Sequence, residues 1–183
     1  MMGGTPVFAE TYVIPYDYEG HHESKYSSGN VVIVDNTEAV ISNRNDTSAP
    51  EQKISKGDGW QSIYGYQGSE KETSGNTVTV TGTTVSNYIS GGGTGTSKNN
   101  KVIVDSTTNE SIIAGGTSDE GDASSNEVTV QNNSKTQAVY GGYAMGNASN
   151  ANHNSVILTG SAADRELQAA MLKREAAMRQ EIR

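Results

Sequence analysis

The chain has 183 residues and a formal net charge of −8; only 33% of its residues are hydrophobic, and 21 are Gly. The acidic balance, with no basic stripe, argues against a nucleic-acid ligand, and the absence of Cys excludes disulfide bridges and Cys-based metal sites. So few apolar residues are typical of disorder unless a repeat builds a narrow core, and no run approaches the roughly 18 residues of a membrane helix.

Residues 1–29 lack the repeat that follows them and are predicted to cap its exposed end. Segment 11–14 predicts a short strand that Pro15 ends. Residues 1–9 end in Val-Phe-Ala, which resembles the end of a signal-peptide cleavage site, but the charged and apolar regions that should precede it are missing. A signal-peptide remnant and a chance resemblance both stay open.

A repeat organises residues 30–160. Its copies begin with Asn-x-Val-x-Val, the last of them ending in Leu, at Asn30, Asn76, Asn100, Asn126 and Asn154. From Asn76 onward the copies are 24, 26 and 28 residues long, and the variation falls after a Gly pair that stands at a constant distance from the Asn. The period-two alternation predicts a strand with Val on one face and polar residues on the other.

One such unit cannot bury its Val pair alone, whereas stacked copies can. The sequence therefore predicts an all-β fold, a parallel β-helix or β-solenoid of about five rungs spaced about 4.8 Å apart. The residues predicted to form its inward columns are Val78, Val102 and Val128.

Two further sets of repeated residues are predicted to form the frame of the solenoid. The Asn residues are expected at the bend before the first strand, where each amide bonds its own backbone and its stacked copy; ordinary turn residues without such a ladder are the alternative. The Gly pairs are expected at corners that require positive φ. These sets are Asn76, Asn100, Asn126 and Asn154, and Gly92, Gly116 and Gly142.

Two segments depart from the repeat. Residues 35–61 interrupt its first copy, and they predict a projecting hairpin or an irregular extra rung, with Trp60 packing the insertion onto the stack. Residues 161–183 are rich in Ala, Leu, Met, Gln, Arg and Glu, and they predict a C-terminal α-helix. This helix would cap the last rung, pair with another chain or be a linker.

No catalytic, cofactor or metal site is predicted. Asp35 and Asp105 follow equivalent strands, but Thr81 lies between them in the column, so a paired-carboxylate site is not indicated. The acidic segment 119–122 is interpreted as solvated rather than as a calcium site. His21, His22 and Glu23 are adjacent in an extended stretch and do not converge on one ion.

Tyr residues near the Gly pairs are the candidates for a binding surface. Tyr64 and Tyr140 are predicted to pack at a corner. Tyr66 and Tyr143 are candidate surface residues that would contact sugars or protein partners if they face outward.

The amino-acid sequence of the last two copies resembles that of a known protein family. The segments Tyr140-Gly141-Gly142-Tyr143-Ala144 and Asn154-Ser155-Val156-Ile157-Leu158-Thr159-Gly160 are similar to passenger repeats of autotransporters, the type V secreted proteins of bacteria with outer membranes. The resemblance covers residues 30–160. It implies a passenger-domain β-helix displayed at the cell surface, outside the outer membrane, or secreted. Such passengers are commonly adhesins for host or cell-surface glycans or proteins. The family also implies a barrel translocator, which is absent from this sequence, so the chain would be a passenger fragment.

Three functions are compatible with these patterns. The leading one is a non-enzymatic passenger that serves as an adhesin or stalk. The second is a glycan-active β-helix lyase or hydrolase, which would need a groove lined with several Asp, Glu, Arg or Lys residues. The third is an ice-binding face, suggested by the alternating Thr residues of segment 77–81. That function needs repeated Thr columns, which Lys101 and Ile103 interrupt.

Overall fold

The computed structural model describes residues 13–15, 26–49, 51–66, 71–93, 95–146, 149–160, 167–168 and 171–172. Within these residues the chain is all-β, with no helix, and it coils into a parallel β-solenoid of about four turns. The strands are β1 (Val13–Pro15), β2 (Asn30–Val34), β3 (Glu38–Asn43), β4 (Gln52–Ser55), β5 (Trp60–Tyr64), β6 (Glu72–Ser74), β7 (Thr77–Thr81), β8 (Thr84–Val85), β9 (Ile89–Ser90), β10 (Thr96–Lys98), β11 (Lys101–Asp105), β12 (Thr108–Asn109), β13 (Ile112–Ala114), β14 (Thr117–Ser118), β15 (Ala123–Ser124), β16 (Glu127–Gln131), β17 (Ala138–Tyr140), β18 (Tyr143–Ala144), β19 (Ser155–Thr159), β20 (Leu167–Gln168) and β21 (Met171–Leu172).

The strands form three walls around the solenoid axis. The first wall has the strand order β19-β16-β11-β7-β2-β3-β4, and the second has the order β12-β8-β5-β9-β13-β17-β20, with β1 on β5. The third consists of two short sheets, β15-β10-β6 and β14-β18-β21. In the first wall Val78 pairs with Val102 and Val102 with Val128, all in parallel. The predicted solenoid is therefore confirmed, with about four turns instead of five rungs, because the five repeat strands enclose only four intervals.

The core is a dry column of β-branched side chains. Val78, Val102 and Val128 are fully buried, and so are the Val residues two positions later on β7 and β11. Ile63, Ile89 and Ile113 of the second wall pack in the same cluster. At the end of the first wall, Val156 and Leu158 of β19 are only partly buried.

The insertion extends the first wall. Strand β3 pairs antiparallel with β2, and β4 pairs antiparallel with β3. The predicted hairpin is therefore formed, but it continues the first wall instead of projecting from it, and no extra parallel rung is formed. The physical reason is that Ala39 and Ile41 alternate in step with the inward residues of β2 and continue the buried face. Trp60 is fully buried, and its indole N–H donates to the carbonyl of Asp35 at 2.7 Å, which confirms that it anchors the insertion.

Both ends of the chain contribute strands where they are described. Strand β1 pairs antiparallel with β5 and includes Pro15, which was predicted to end it; the cap role of residues 1–29 stays a prediction. Residues 167–168 and 171–172 pair in parallel with β17 and β18, so the helix prediction is wrong at these four positions. There, pairing with an open strand edge outweighs helix propensity. The rest of the predicted helix, residues 1–12 and residues 16–25 lie outside the described residues.

Candidate binding surface

A ladder of Asn side chains holds the first wall in register. The Oδ1 atom of Asn76 accepts the backbone N–H of Asn30 at 2.9 Å, and that of Asn100 accepts the N–H of Asn76 at 3.0 Å. The pattern continues through Asn126 and Asn154 at 3.0 and 2.9 Å. Each amide therefore bonds the backbone of the preceding turn and not its own.

Left-handed residues bracket the strands of this wall. The residue before each Asn has positive φ: Gly29, Gly75, Asn99, Ser125 and His153. A second such set follows the strands: Gly82, Ser106, Asn132 and Gly160. These two sets turn the chain sharply at both ends, so the outward side chains between them repeat at the rung spacing of about 4.8 Å.

The Gly pairs serve a different purpose from the one predicted. None of Gly92, Gly116 and Gly142 has positive φ. A Cβ atom on Gly91 would lie 2.3 Å from the carbonyl oxygen of Gly115, and one on Gly92 would lie 1.9 Å from the hydroxyl of Ser97. Gly is therefore required by the close approach of neighbouring side chains and of the next turn, and the positive-φ prediction is wrong.

The outer face of the first wall carries a central column of β-branched side chains. Its members face outward between the inward Val residues and align through the strand register; they are Ile33, Thr79, Ile103, Thr129 and Ile157. Val40 of β3 extends the column beyond Ile33. Ile33 is 50% exposed and Ile157 43% exposed. This column was not among the predicted surfaces, although a β-branched residue stands third after every repeat Asn in the sequence.

Charged residues flank the central column. On the side where the parallel strands begin, Lys101 Nζ lies 2.6 Å from Glu127 Oε1, and the guanidinium of Arg44 donates to the hydroxyl of Thr77. Since Lys101 and Ile103 align with Thr77 and Thr79, the paired Thr columns of an ice-binding face are not formed.

The other side, where the strands end, is mainly acidic. The Asp105 carboxylate accepts from Gln131 Nε2 at 2.9 Å and from Asn132 Nδ2 at 3.0 Å. These hydrogen bonds, that of Gln131 foremost, hold the pKa of Asp105 below its usual value. The pKa of Asp35 is lowered in the same way, first by the hydroxyl of Thr37 and then by backbone N–H groups. Both carboxylates therefore remain ionised in mildly acidic solution.

The structure separates the Tyr candidates. Tyr66 is only 1% exposed and does not contribute to a surface. Tyr143 is half-buried, and its ring stacks on Tyr140 with 4.9 Å between centroids, so it contributes only part of its side chain to the surface. Tyr64 is half-buried, and burial raises the pKa of its hydroxyl; its packing at a corner stays a prediction. Tyr88, which sequence reasoning did not single out, is 41% exposed.

Within the acidic segment 119–122, Asp119 and Glu120 are exposed, as predicted, whereas Asp122 bonds the next turn. The Asp122 carboxylate accepts from the backbone N–H of Asn150 at 2.8 Å and from its side chain at 3.2 Å. Among the residues that the structure describes, no group of three His, Asp or Glu side chains is placed to hold a metal ion. His21, His22 and Glu23 lie outside that part of the chain.

Comparisons with family models, curated proteins and solved structures found no match to this chain. In the described part of the chain, no helix combines the length and the apolar character needed to cross a bilayer. The outer face of the first wall is thus the most regular candidate surface: three aligned columns of side chains on a hydrogen-bonded frame.

Proposed function

We propose that this chain is a non-enzymatic passenger module of the autotransporter type, displayed at the bacterial cell surface or secreted, which acts as a stalk and binding surface. The observation that carries the proposal is the contrast between the inside and the outside of the first wall. The inward positions of every turn carry Val or Leu, whereas the aligned outward positions change from turn to turn.

A frame of this kind suits display. Each turn contacts mainly its neighbours and adds about 4.8 Å of height, so a solenoid lengthens by adding copies without a new core design. The outward side chains stand on the same Asn-bonded frame in each turn, where they contact a long partner at several places. We therefore propose weak contacts to host or cell-surface glycans or proteins, summed over several turns.

The carboxylates of the first wall favour binding over glycan cleavage. A glycan hydrolase needs a general acid with a raised pKa beside a second carboxylate at a fixed separation. Asp35 and Asp105 are two turns apart with Thr81 between them, and hydrogen bonds lower the pKa of both. Neither residue is suited to donate a proton near neutral pH.

A polysaccharide panel tests the binding role. The purified chain, free and displayed on multivalent beads, is applied to immobilised acidic and neutral glycans while reducing ends and unsaturated products are measured. We expect retention that rises with valency and no release of oligosaccharide. Steady release that is lost in Asp105→Asn or Asp119→Asn, but kept in the exposed-loop control Asp58→Asn, would replace the binding role by an enzymatic one.

A surface-labelling experiment tests the location. Antibodies against this chain are applied to intact cells of the native source and to lysed cells. Labelling of intact cells, removed by brief external protease treatment, is expected of a displayed passenger. Labelling only after lysis would contradict display.

A further inference from the structure

The outer face of the first wall presents an apolar centre between two sides of opposite charge. The central column alternates Ile and Thr from Ile33 to Ile157. Ile33 is half exposed and Ile157 nearly so, whereas Thr79, Ile103 and Thr129 between them are half-buried. Apolar groups repeated along a regular surface lower the free energy when a matching surface covers them.

The charge on the two sides decides which matching surface fits. The side where the parallel strands begin carries Arg44 and Lys101; Glu127 there is paired to Lys101, and the exposed Glu51 precedes β4 on the same side. The opposite side carries Asp35, Glu38 and Asp105. Lys53, which follows Val40 in the central column, lies 4.0 Å from Glu38, and the nearby Lys56 is bonded to Asn36. A partner that fits must therefore be acidic where this chain is basic, and basic where this chain is acidic.

We propose that the partner is a second copy of this chain, packed wall to wall about a twofold axis parallel to the solenoid axis. A rotation about that axis reverses the two sides of the wall and keeps each turn at the same height. Lys101 of one copy then faces Asp105 of the other, twice in the dimer, and the two central columns lie against each other.

The alternative twofold axis, perpendicular to the solenoid axis, does not fit. It leaves the two sides unreversed, so that Lys101 would approach the basic side of the second copy and Asp105 its acidic side. Like charges in an interface oppose association. Only the parallel arrangement matches both the charges and the apolar centre.

The size of the wall predicts weak association. Seven strands about 4.8 Å apart, with about five residues rising about 3.3 Å each, give a face of roughly 30 by 15 Å. This face is smaller than the roughly 800 Å² that each partner buries in a standard interface. We therefore expect a reversible dimer with a dissociation constant in the micromolar to millimolar range.

A charge swap tests the geometry. Sedimentation velocity of the intact chain from about 10 μM to about 1 mM should show a monomer–dimer equilibrium. Lys101→Glu alone and Asp105→Lys alone should each weaken self-association by about tenfold or more, because each places like charges opposite each other. Mixing the two variants should restore dimers, since both contacts in the mixed dimer are again of opposite sign.

Two further variants keep the test independent of folding. Ile103→Thr copies the residues that precede and follow it in the central column, so the wall should fold while the dimer weakens. Lys98→Glu makes the same charge change on the third wall and should leave the dimer unaffected. Circular dichroism checks the fold of each variant.

The outcomes that overturn the proposal are specific. A wild-type chain that stays monomeric at the highest concentration would exclude the dimer. Self-association that is unaffected by Lys101→Glu, by Asp105→Lys and by Ile103→Thr would place the contact elsewhere. Stronger pairing of Lys101→Glu with wild type than of wild type with itself would indicate the other twofold axis. The outcome does not depend on the proposed passenger role.

Discussion

At the scale of single residues, the Asn ladder shows why a carboxamide recurs at one position in each turn. The oxygen of Asn100 accepts the backbone N–H of Asn76, and its amide nitrogen donates to Ser97 and to Asn126. The residue is only 1% exposed, so water cannot replace these partners. Without the acceptor the buried backbone N–H of Asn76 would be unsatisfied, and without the donor the side-chain oxygens of Ser97 and Asn126 would each lose a partner.

The first prediction concerns this ladder. Asn100→Ala should lower the free energy of unfolding by about 1–3 kcal/mol, because the buried N–H of Asn76 loses its acceptor. Urea denaturation measures the change. The exposed Asn87 provides the matched control, and Asn87→Ala should change stability by no more than about 0.5 kcal/mol. Equal losses for the two variants would contradict the role of the ladder.

The second prediction concerns pH. The folded chain holds the pKa of Asp105 below the reference value of 3.8, so this group contributes stability at pH values above 3.8 and loses it as the pH falls through the lowered pKa. Asp105→Asn should therefore be less stable than wild type near neutral pH, and the difference should shrink well below pH 3.8. Urea denaturation of both proteins, near neutral pH and well below pH 3.8, measures how the stability difference changes with pH. A difference that grows in acid would show that the carboxylate is not stabilised by its neighbours.

At the scale of the elements, two kinds of glycine shape the turns. Gly82 has a φ of +61° and open space where a Cβ atom would lie, so only its backbone conformation requires glycine. Gly91 has ordinary φ, but the carbonyl oxygen of Gly115 occupies the place of a Cβ atom. Gly57 has neither constraint. Glycine is thus needed after β7 for a left-handed backbone conformation, and in the Gly pairs for lack of space between neighbouring turns.

The third prediction ranks these glycines. Gly57→Ala should leave the unfolding free energy nearly unchanged. Gly82→Ala should cost about 1–2 kcal/mol through left-handed strain. Gly91→Ala should cost more than Gly82→Ala, because a backbone carbonyl on the next turn must move. Guanidinium denaturation of the three variants measures the order, and a Gly82→Ala loss larger than that of Gly91→Ala would reverse this interpretation.

At the scale of the whole molecule, the solenoid is a line of turns in which each turn supports its neighbours. The central turns bury Val78 and Val102 completely, whereas Val156 and Leu158 on β19 at the end of the first wall remain partly exposed. Stability in such an array is set by nearest-neighbour interfaces, so the described turns should not open with equal ease.

The fourth prediction follows from this gradient. Amide hydrogen exchange should be slowest in β7 and β11 and faster in β19, which has a paired strand on only one side among the described residues. For the same reason, Val102→Ala should lower the free energy of unfolding by about 2 kcal/mol, and Val156→Ala should lower it by distinctly less. Uniform protection across the three strands would indicate all-or-none opening of the stack.

Several features of the fold were predictable because they are local or repeat in register. The alternation after each repeat Asn predicted strands with Val inward, and Trp60 was expected to anchor the insertion. The helix expected at 161–183 shows the limit of such reasoning. Its composition favours a helix, yet the four described residues there pair with strand edges that no propensity scale includes.

The candidate surface was predicted less well than the fold. Tyr66 was considered for the surface but is buried, and the central column with Ile33 and Ile157 was overlooked although its spacing was visible in the sequence. The contact between Lys101 and Glu127 joins residues of different turns, and only the stacking register brings the two together.

The sequence by itself determined the parallel β-solenoid and its inward Val columns, because a period-two pattern that recurs every 24, 26 and 28 residues can bury its apolar face only by stacking. The tertiary structure decided whether each glycine is needed for its backbone conformation or for lack of space, how the insertion joins the first wall, and which charges flank the central column. These features depend on atoms of neighbouring turns, such as the carbonyl of Gly115 beside Gly91, and no local pattern encodes that proximity.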